Sequence, residues 1–186
     1  MFSAFRAGYD RISGHCQLLG RIGINNNLIN RFVKAKNDRM NNLFQNSMIK
    51  KVRRQDLPAI VEIEDLSFDV PWPYFVFRSY LGSEGFVLYE QDGVVLGYAI
   101  IGICNDIAHL QSIAVLPRSR RFGIGTELLN WCIKFGDMHG AHLIKLEVRE
   151  KNSTVQAFYL NNGFQIKGRV SGYYVDDNAI IMEKKI

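Results

Sequence analysis

The sequence predicts a mixed α/β (α+β) fold built on a central, mostly antiparallel sheet, and three observations predict it. First, Phe86 to Glu90, Val94 to Ile103 and Ala108 to Val115 are apolar, β-branched runs joined by the short polar turns Gln91-Asp92-Gly93 and Cys104-Asn105-Asp106, which reads as an antiparallel meander. Second, the run ending at Val115 leads through Pro117 into a helical pattern with Leu128, Leu129, Cys132, Ile133 and Gly136 on one face, and then into the strand Leu143 to Arg149. Strand, helix, strand implies a parallel pair joined by a crossover. Third, a short helix opened by Asn152 or Ser153 precedes a closing strand pair, Phe164 to Tyr174 and Ala179 to Lys185.

Composition fits one domain with an extension: 186 residues, 47% apolar and 12% aromatic, suffice for a sizeable core. The longest apolar run, Val94 to Cys104, falls well short of the roughly 20 residues that span a bilayer, so no membrane segment is expected. Cys16, Cys104 and Cys132 form no Cys-x-x-Cys pair. Neither a disulfide framework nor a metal site is expected, and a reducing, cytoplasmic setting is. The net charge of +5 resides in residues 1–47, which hold seven basic and two acidic residues, while residues 48–186 are formally neutral. The basic balance therefore argues no nucleic-acid role for residues 48–186.

Residues 1–47 are rich in Asn, poor in acids and only weakly periodic. Three readings fit them: a translated stretch upstream of the true start, a basic arm touching RNA or the ribosome, or an organellar presequence. The domain is expected to span 48–186. Ile49 to Arg53 suits an edge strand; Asp56 is expected to cap a helix with Pro58 in its first turn and Leu57, Ile60, Val61, Ile63 and Leu66 on its apolar face. Ser67 to Phe77, with two prolines and several aromatics, interrupts before a second helix, about Tyr74 to Leu81, that ends at Gly82. This loop reads either as a plug over the core or as a wall of a substrate groove.

The chemistry is concentrated in the turn Arg118-Ser119-Arg120-Arg121-Phe122-Gly123-Ile124-Gly125-Thr126. Gly123 and Gly125 lack a Cβ, so backbone N–H groups can approach a ligand closely, and the following helix N-terminus adds unpaired donors and partial positive charge. Such a turn fits a pyrophosphate; it also fits a tight strand-to-helix connection. Its spacing, Arg120-x-x-Gly123-x-Gly125, is neither the Gly-Lys-Ser/Thr phosphate loop nor the dinucleotide fingerprint.

It resembles the acetyl-CoA-binding motif of the GNAT family of acetyltransferases, Gln/Arg-x-x-Gly-x-Gly/Ala. Leu146-Glu147-Val148-Arg149-Glu150-Lys151-Asn152, Ala157-Phe158-Tyr159-Leu160 ahead of Gly163-Phe164, and Gly172-Tyr173-Tyr174 extend the resemblance over residues 48–186, toward the ribosomal-protein-alanine and related N-terminal acetyltransferases. The resemblance implies the GNAT fold, with helices on both faces of a mixed sheet, and direct transfer of acetyl from acetyl-CoA to an amine. It implies that backbone groups of Ile113, Ala114 and Val115, the turn Arg120, Arg121, Phe122, Gly123, Ile124, Gly125 and Thr126, and Asn152 and Tyr159 hold acetyl-CoA.

Glu147 matches the family's base position, and strand alternation sets it on one face with Lys145 and Arg149. Tyr159, whose phenol ordinarily titrates near 10, is placed to protonate the departing thiolate. Without the resemblance the two read as a solvated strand carboxylate and a core aromatic, and Asn152 as a helix cap. Phe68, Val70 and Trp72 of the aromatic loop, with Tyr173 and Tyr174, are expected to wall the acceptor groove; an aromatic pair on an edge strand is as compatible with a purely structural role. The four histidines of the chain make no metal-ligand spacing and receive no role.

The expected function is acetyl-CoA-dependent acetylation of the α-amine of a protein or peptide N-terminus with a small first residue such as Ala or Ser, a ribosomal protein being one candidate acceptor. A small-molecule amine or lysine acetyltransferase, and a CoA-binding module without turnover, remain the alternatives. Acceptor identity and oligomeric state are not encoded in any readable pattern.

Overall fold

The computed structural model of the chain describes residues 47–186; the basic stretch and its three readings lie outside the described residues, up to the start of the first strand. That strand, β1 (Ser47–Lys51), begins ahead of the expected alternation. Asp56 does not cap a helix with its side chain. Its Oδ2 accepts from the N–H of Arg53 at 2.9 Å, closing a 3₁₀ turn, Arg54–Asp56, that runs directly into α1 (Leu57–Asp65). Leu57, Ile60 and Ile63 are buried on α1 as expected, whereas Leu66, beyond its end, is exposed. After the proline-rich loop comes α2 (Tyr74–Ser79), shorter than its pattern and followed by Gly82 at φ 90.

The meander follows: β2 (Phe86–Gln91), β3 (Val94–Cys104) and β4 (Ile107–Val115), all antiparallel. Both hairpin turns put two consecutive residues at positive φ, Asp92 and Gly93 (51, 78) and Asn105 and Asp106 (47, 60). This is the backbone twist that two-residue hairpins require, tolerated by Asn, Asp and Gly. Then come α3 (Ile124–Met138), β5 (Leu143–Arg149) and α4 (Ser153–Asn161), whose N-cap Asn152 accepts from the Val155 N–H at 3.1 Å. The chain closes with β6 (Gln165–Val170) and β7 (Ala179–Lys185).

One expectation fails here. Tyr173 and Tyr174 are not on an edge strand: β6 stops at Val170, Gly172 turns at φ 63, and paired backbone hydrogen bonds between Tyr174 and Asp177 fold 171–178 into a loop. The Gly172 N–H also donates to Asn178 Oδ1 at 2.9 Å.

The seven strands lie in the order β1-β2-β3-β4-β5-β7-β6, with β4 and β5 the parallel neighbours. Tyr98 and Ile100 of β3 join Leu57, Ile60, Ile63 and Phe77 in a core beneath α1 and α2. Gly97, on the opposite face, receives Leu128 of α3: a Cβ there would stand 3.1 Å from Leu128 Cδ1. Helices therefore cover both faces, as the fold requires to bury a mixed sheet.

Two register details open the sheet. β4 pairs with β5 only through Ile107, Ala108 and His109 against Leu143, Ile144 and Lys145. Just beyond, Ser112 faces Ile100 and Leu110 faces Ile101, which leaves Gln111 as an extra residue on β4. A bulge bends its strand and raises the local twist. Ile113 to Val115 thus depart from Glu147 to Arg149, and each strand presents an unpaired edge to the other across a cleft.

Candidate functional site

Beside this cleft is the turn from β4 into α3. Arg121 (φ 70) and Gly123 (φ 88) both adopt the left-handed conformation. Among the described residues no hydrogen bond occupies the N–H groups of residues 121 to 125, while the N–H groups of Thr126 and Glu127 are taken by the Gly123 carbonyl at 2.9 and 3.0 Å. The free donors are therefore 121–125, and the expected Thr126 amide is not among them. A Cβ built on Gly123 would meet nothing within 4 Å, so the space before the turn is open. Unpaired N–H groups at a helix N-terminus with open space before them fit a pyrophosphate.

Arg120 plays a different part from its neighbours. Its Nε donates to the Val115 carbonyl and its guanidinium to Ser67 Oγ, each at 2.9 Å, and burial lowers its pKa. The side chain thus braces the end of β4 against the loop after α1.

A second cluster of polar side chains is assembled from β4, β5 and the β6–β7 loop. His109 and Lys145 are register partners, and Ala108, beside His109, lies under Gly136 of α3. Alternation therefore turns His109, Lys145, Glu147 and Arg149 to the face opposite α3. Glu147 is not solitary: Oε2 lies 2.6 Å from His109 Nε2 and Oε1 lies 3.4 Å from Lys145 Nζ. The hydrogen bond to His109 lowers the Glu147 pKa below the usual carboxylate value, with Lys145 adding to it and partial burial opposing it. The sequence reading left His109 without a role; only the β4–β5 register reveals it.

Tyr159 is 4% exposed and packs against Phe158 and Phe164, ring centroids 5.1 and 5.3 Å apart. Burial pushes its phenol well above 10, with the Cys132 thiol and the Tyr174 phenol as further contributors. It remains protonated at neutral pH, the state a proton donor needs. Cys132 itself is pushed up to about 12 by burial and is not a nucleophile.

Tyr174 links the group. Its phenol, raised to about 12 by burial, also feels Glu147 and Arg149, and the Arg149 guanidinium lies 4.4 Å from its ring centre. Arg149 donates in turn to Asp176 at 2.6 Å. Tyr173, 51% exposed, rests on Tyr174 with centroids 5.0 Å apart and feels both Glu147 and Lys145. The structure thus gathers Glu147, Tyr159, Tyr173 and Tyr174 into one neighbourhood. Phe68 and Val70 stand exposed on the α1–α2 loop, while Trp72 turns inward, stacked on Tyr80 at 6.3 Å and 8°. No cluster of three potential metal ligands occurs among the described residues, and no described helix is long and apolar enough to cross a membrane.

Residues 55–164 match the family model described as the acetyltransferase (GNAT) family. The ribosomal protein bS18-alanine N-acetyltransferase of Escherichia coli K12 is 33% identical over 140 residues, covering 72% of this chain and 94% of that protein. An N-alpha-acetyltransferase of Sulfurisphaera tokodaii is 33% identical over 150 residues, covering 72% and 90%. The crystal structure of the ribosomal-protein-S18-alanine N-acetyltransferase from Escherichia coli superposes with a TM-score of 0.68 over 75% of this chain and 94% of that one. A splayed β4–β5 pair, a donor-lined turn into α3 and relatives of this identity lead to one conclusion: the chain belongs to the GNAT family of acetyltransferases, enzymes that use acetyl-CoA.

Proposed function

We propose that the chain transfers acetyl from acetyl-CoA to the α-amino group of a protein N-terminus bearing a small, uncharged first residue; one relative is named as acting on an alanine of a ribosomal protein and another as an N-alpha-acetyltransferase. The observation that carries this reading is an ionised carboxylate, Glu147 held by His109 and Lys145, linked through Tyr174 to a buried and protonated phenol, Tyr159. The donor amides of 121–125 would hold the pyrophosphate and the open edge Ile113–Val115 the pantetheine arm. Asn152 spends its Oδ1 on the Val155 N–H and keeps its amide N–H groups for that arm. When bound, acetyl-CoA supplies the activated acetyl group.

The chain's own residues manage protons. The His109 imidazole is held on the Glu147 carboxylate at 2.6 Å. The His109–Glu147 pair is therefore the acceptor for the proton lost by the incoming amine, with the carboxylate orienting the imidazole and stabilising the charge it gains. Tyr159 donates to the departing sulfur. Tyr173 and Tyr174, with Phe68 and Val70 across the cleft, wall the acceptor; Trp72 supports that wall from behind.

The test is a mass-spectrometric comparison of peptides that differ only in their first residue, alongside an N-terminally blocked peptide with an internal lysine. Acetylation of the free Ala or Ser terminus, with little on the blocked peptide, is expected. Equal rates on the two refute the reading and install a lysine or polyamine acceptor.

A further inference from the structure

Glu64 is a carboxylate where the helix pattern asks for an apolar residue. It lies one turn beyond Ile60 on the buried face of α1 and is 2% exposed. Burying a carboxylate is costly unless hydrogen bonds compensate, and apolar replacements of buried ionic groups are often neutral or stabilising. Stability alone therefore does not explain its presence.

Its bonds converge on one place. Oε1 accepts from the Trp72 N–H at 2.9 Å, and Oε2 accepts a short hydrogen bond from the Tyr98 hydroxyl. Tyr98 Oη in turn lies 2.9 Å from Ser112 Oγ, on the residue of β4 just after the bulge and just before the open edge Ile113–Val115. The Glu64 carbonyl also accepts from the N–H groups of Ser67 and Phe68, at 2.9 and 3.0 Å. One residue thus grips the α1–α2 loop at its start through the backbone and at its end through the side chain, and ties both to the cleft side of β4. The loop between these points has little else to hold it: Phe68 is 41% and Val70 66% exposed.

We propose that Glu64 is a positioning residue for acceptor binding: through Trp72 and Tyr98 its carboxylate fixes the α1–α2 loop, with Phe68 and Val70, at the distance from β4 that the acceptor requires. This rests on the N-terminal acetylation reading and adds a residue remote from the reacting atoms. The side-chain grip on Trp72 is what a substitution removes, since the backbone bonds to Ser67 and Phe68 survive it. Acceptor affinity then falls while the turn at 121–125, tied to different bonds, keeps its hold on acetyl-CoA.

The experiment compares wild type, Glu64→Leu, Tyr98→Phe and Glu64→Gln in the full chain. Initial rates are measured against an Ala-initiated peptide at saturating acetyl-CoA, acetyl-CoA affinity by calorimetry, and Trp72 emission in a Trp131→Phe background. Glu64→Leu and Tyr98→Phe are expected to raise the peptide KM about five- to tenfold, as the loss of one or two hydrogen bonds implies. Acetyl-CoA affinity stays unchanged, Trp72 emission shifts to the red, and Glu64→Gln, which keeps an oxygen for the Trp72 N–H, recovers most of the KM. An unchanged peptide KM in the folded variants overturns the proposal, as does an equal loss of acetyl-CoA affinity. Tyr98→Phe carries the test if Glu64→Leu does not fold, because its ring keeps the edge-on contact with Phe77 at 5.5 Å. Failure of wild type to acetylate the peptide refutes the N-terminal reading instead, and the Trp72 emission, which needs no turnover, still decides whether Glu64 holds the loop.

Discussion

Gly123→Ala separates the two things a glycine does at this turn. At φ 88, with nothing within 4 Å of the position a Cβ would take, the substitution causes no clash and its folding cost is conformational. Holding an L-residue there costs about 1–2 kcal/mol, which for a domain of this size lowers Tm by roughly 3–8 °C. Gly140, at the other end of α3, supplies the control: its φ is 77 and a Cβ there also meets nothing within 4 Å. Gly140→Ala should therefore lose a similar Tm. Acetyl-CoA affinity should divide them. If the turn holds the pyrophosphate as proposed, the new methyl at Gly123 stands in its approach to the free N–H groups of 121–125, and loss of one charge-assisted hydrogen bond of about 1.5–3 kcal/mol weakens binding roughly 10- to 100-fold. At Gly140 affinity stays at the wild-type value. Calorimetric titration of both variants with acetyl-CoA, beside thermal melts, reads both quantities. Equal affinity in Gly123→Ala and Gly140→Ala, at matched Tm losses, would refute the assignment of the turn.

Further outcomes follow from the paired groups. Glu147→Gln and His109→Ala should each lower kcat about a hundredfold or more, and the double variant should be little worse than the weaker single, because the two act as a unit; additive losses in steady-state rates would show that they do not. Tyr159→Phe keeps the ring between Phe158 and Phe164 and should cut kcat by at least about a hundredfold with acetyl-CoA affinity changed far less, and a normal kcat removes it as the donor. Partners lower the Glu147 pKa in the folded chain, so its stabilisation is complete above the unfolded carboxylate's value and is lost as pH falls through the lowered folded one. The Tm gap between wild type and Glu147→Gln should accordingly narrow from about pH 6 to about pH 3, and a gap that does not change with pH contradicts the ion pair.

What could be read from the sequence was local. The two hairpin turns, α3, β5 and β7 were legible because each is defined by residues within a few positions: left-handed Asn, Asp and Gly for the turns, a 3.6-residue stripe for the helix, alternation for the strands. What was missed depends on register or on a long-range partner. His109 and Glu147 are 38 residues apart and meet because β4 and β5 share three paired residues before a bulge. No spacing rule connects them. The Tyr173-Tyr174 loop resembles a strand in its residues, and the break at Gly172 follows from bonds to Asp177 and Asn178 across the turn. Glu64 had a local signal, its place on the stripe of Leu57 and Ile60, but a carboxylate there is legible only once Tyr98 and Trp72 supply its donors. Trp72 shows the same limit: residue type fitted a groove wall, and only the fold shows its ring turned inward against Tyr80.

The bulge at Gln111 connects fold to acceptor choice. By ending the β4–β5 ladder at His109, it leaves that imidazole hydrogen-bonded to Glu147 where the two strands part, the pair proposed above as the proton acceptor. Such a pair is a weak base, competent only toward an amine that is largely neutral before it binds. An α-amine titrates near 8 and a lysine near 10.4, so at neutral pH the α-amine offers roughly two powers of ten more of the reactive form. Lys145, 3.4 Å from Glu147, adds a positive charge beside the base that any incoming ammonium meets, whichever amine carries it. Selection against lysine, on the proposed reading, needs no pocket that measures length. It follows from the amines' own titration, which predicts that the ratio of free-terminus to internal-lysine rates falls roughly tenfold as pH rises from about 7 to 9; a ratio unchanged in peptide assays across that range would return the discrimination to the walls proposed for Tyr173 and Tyr174.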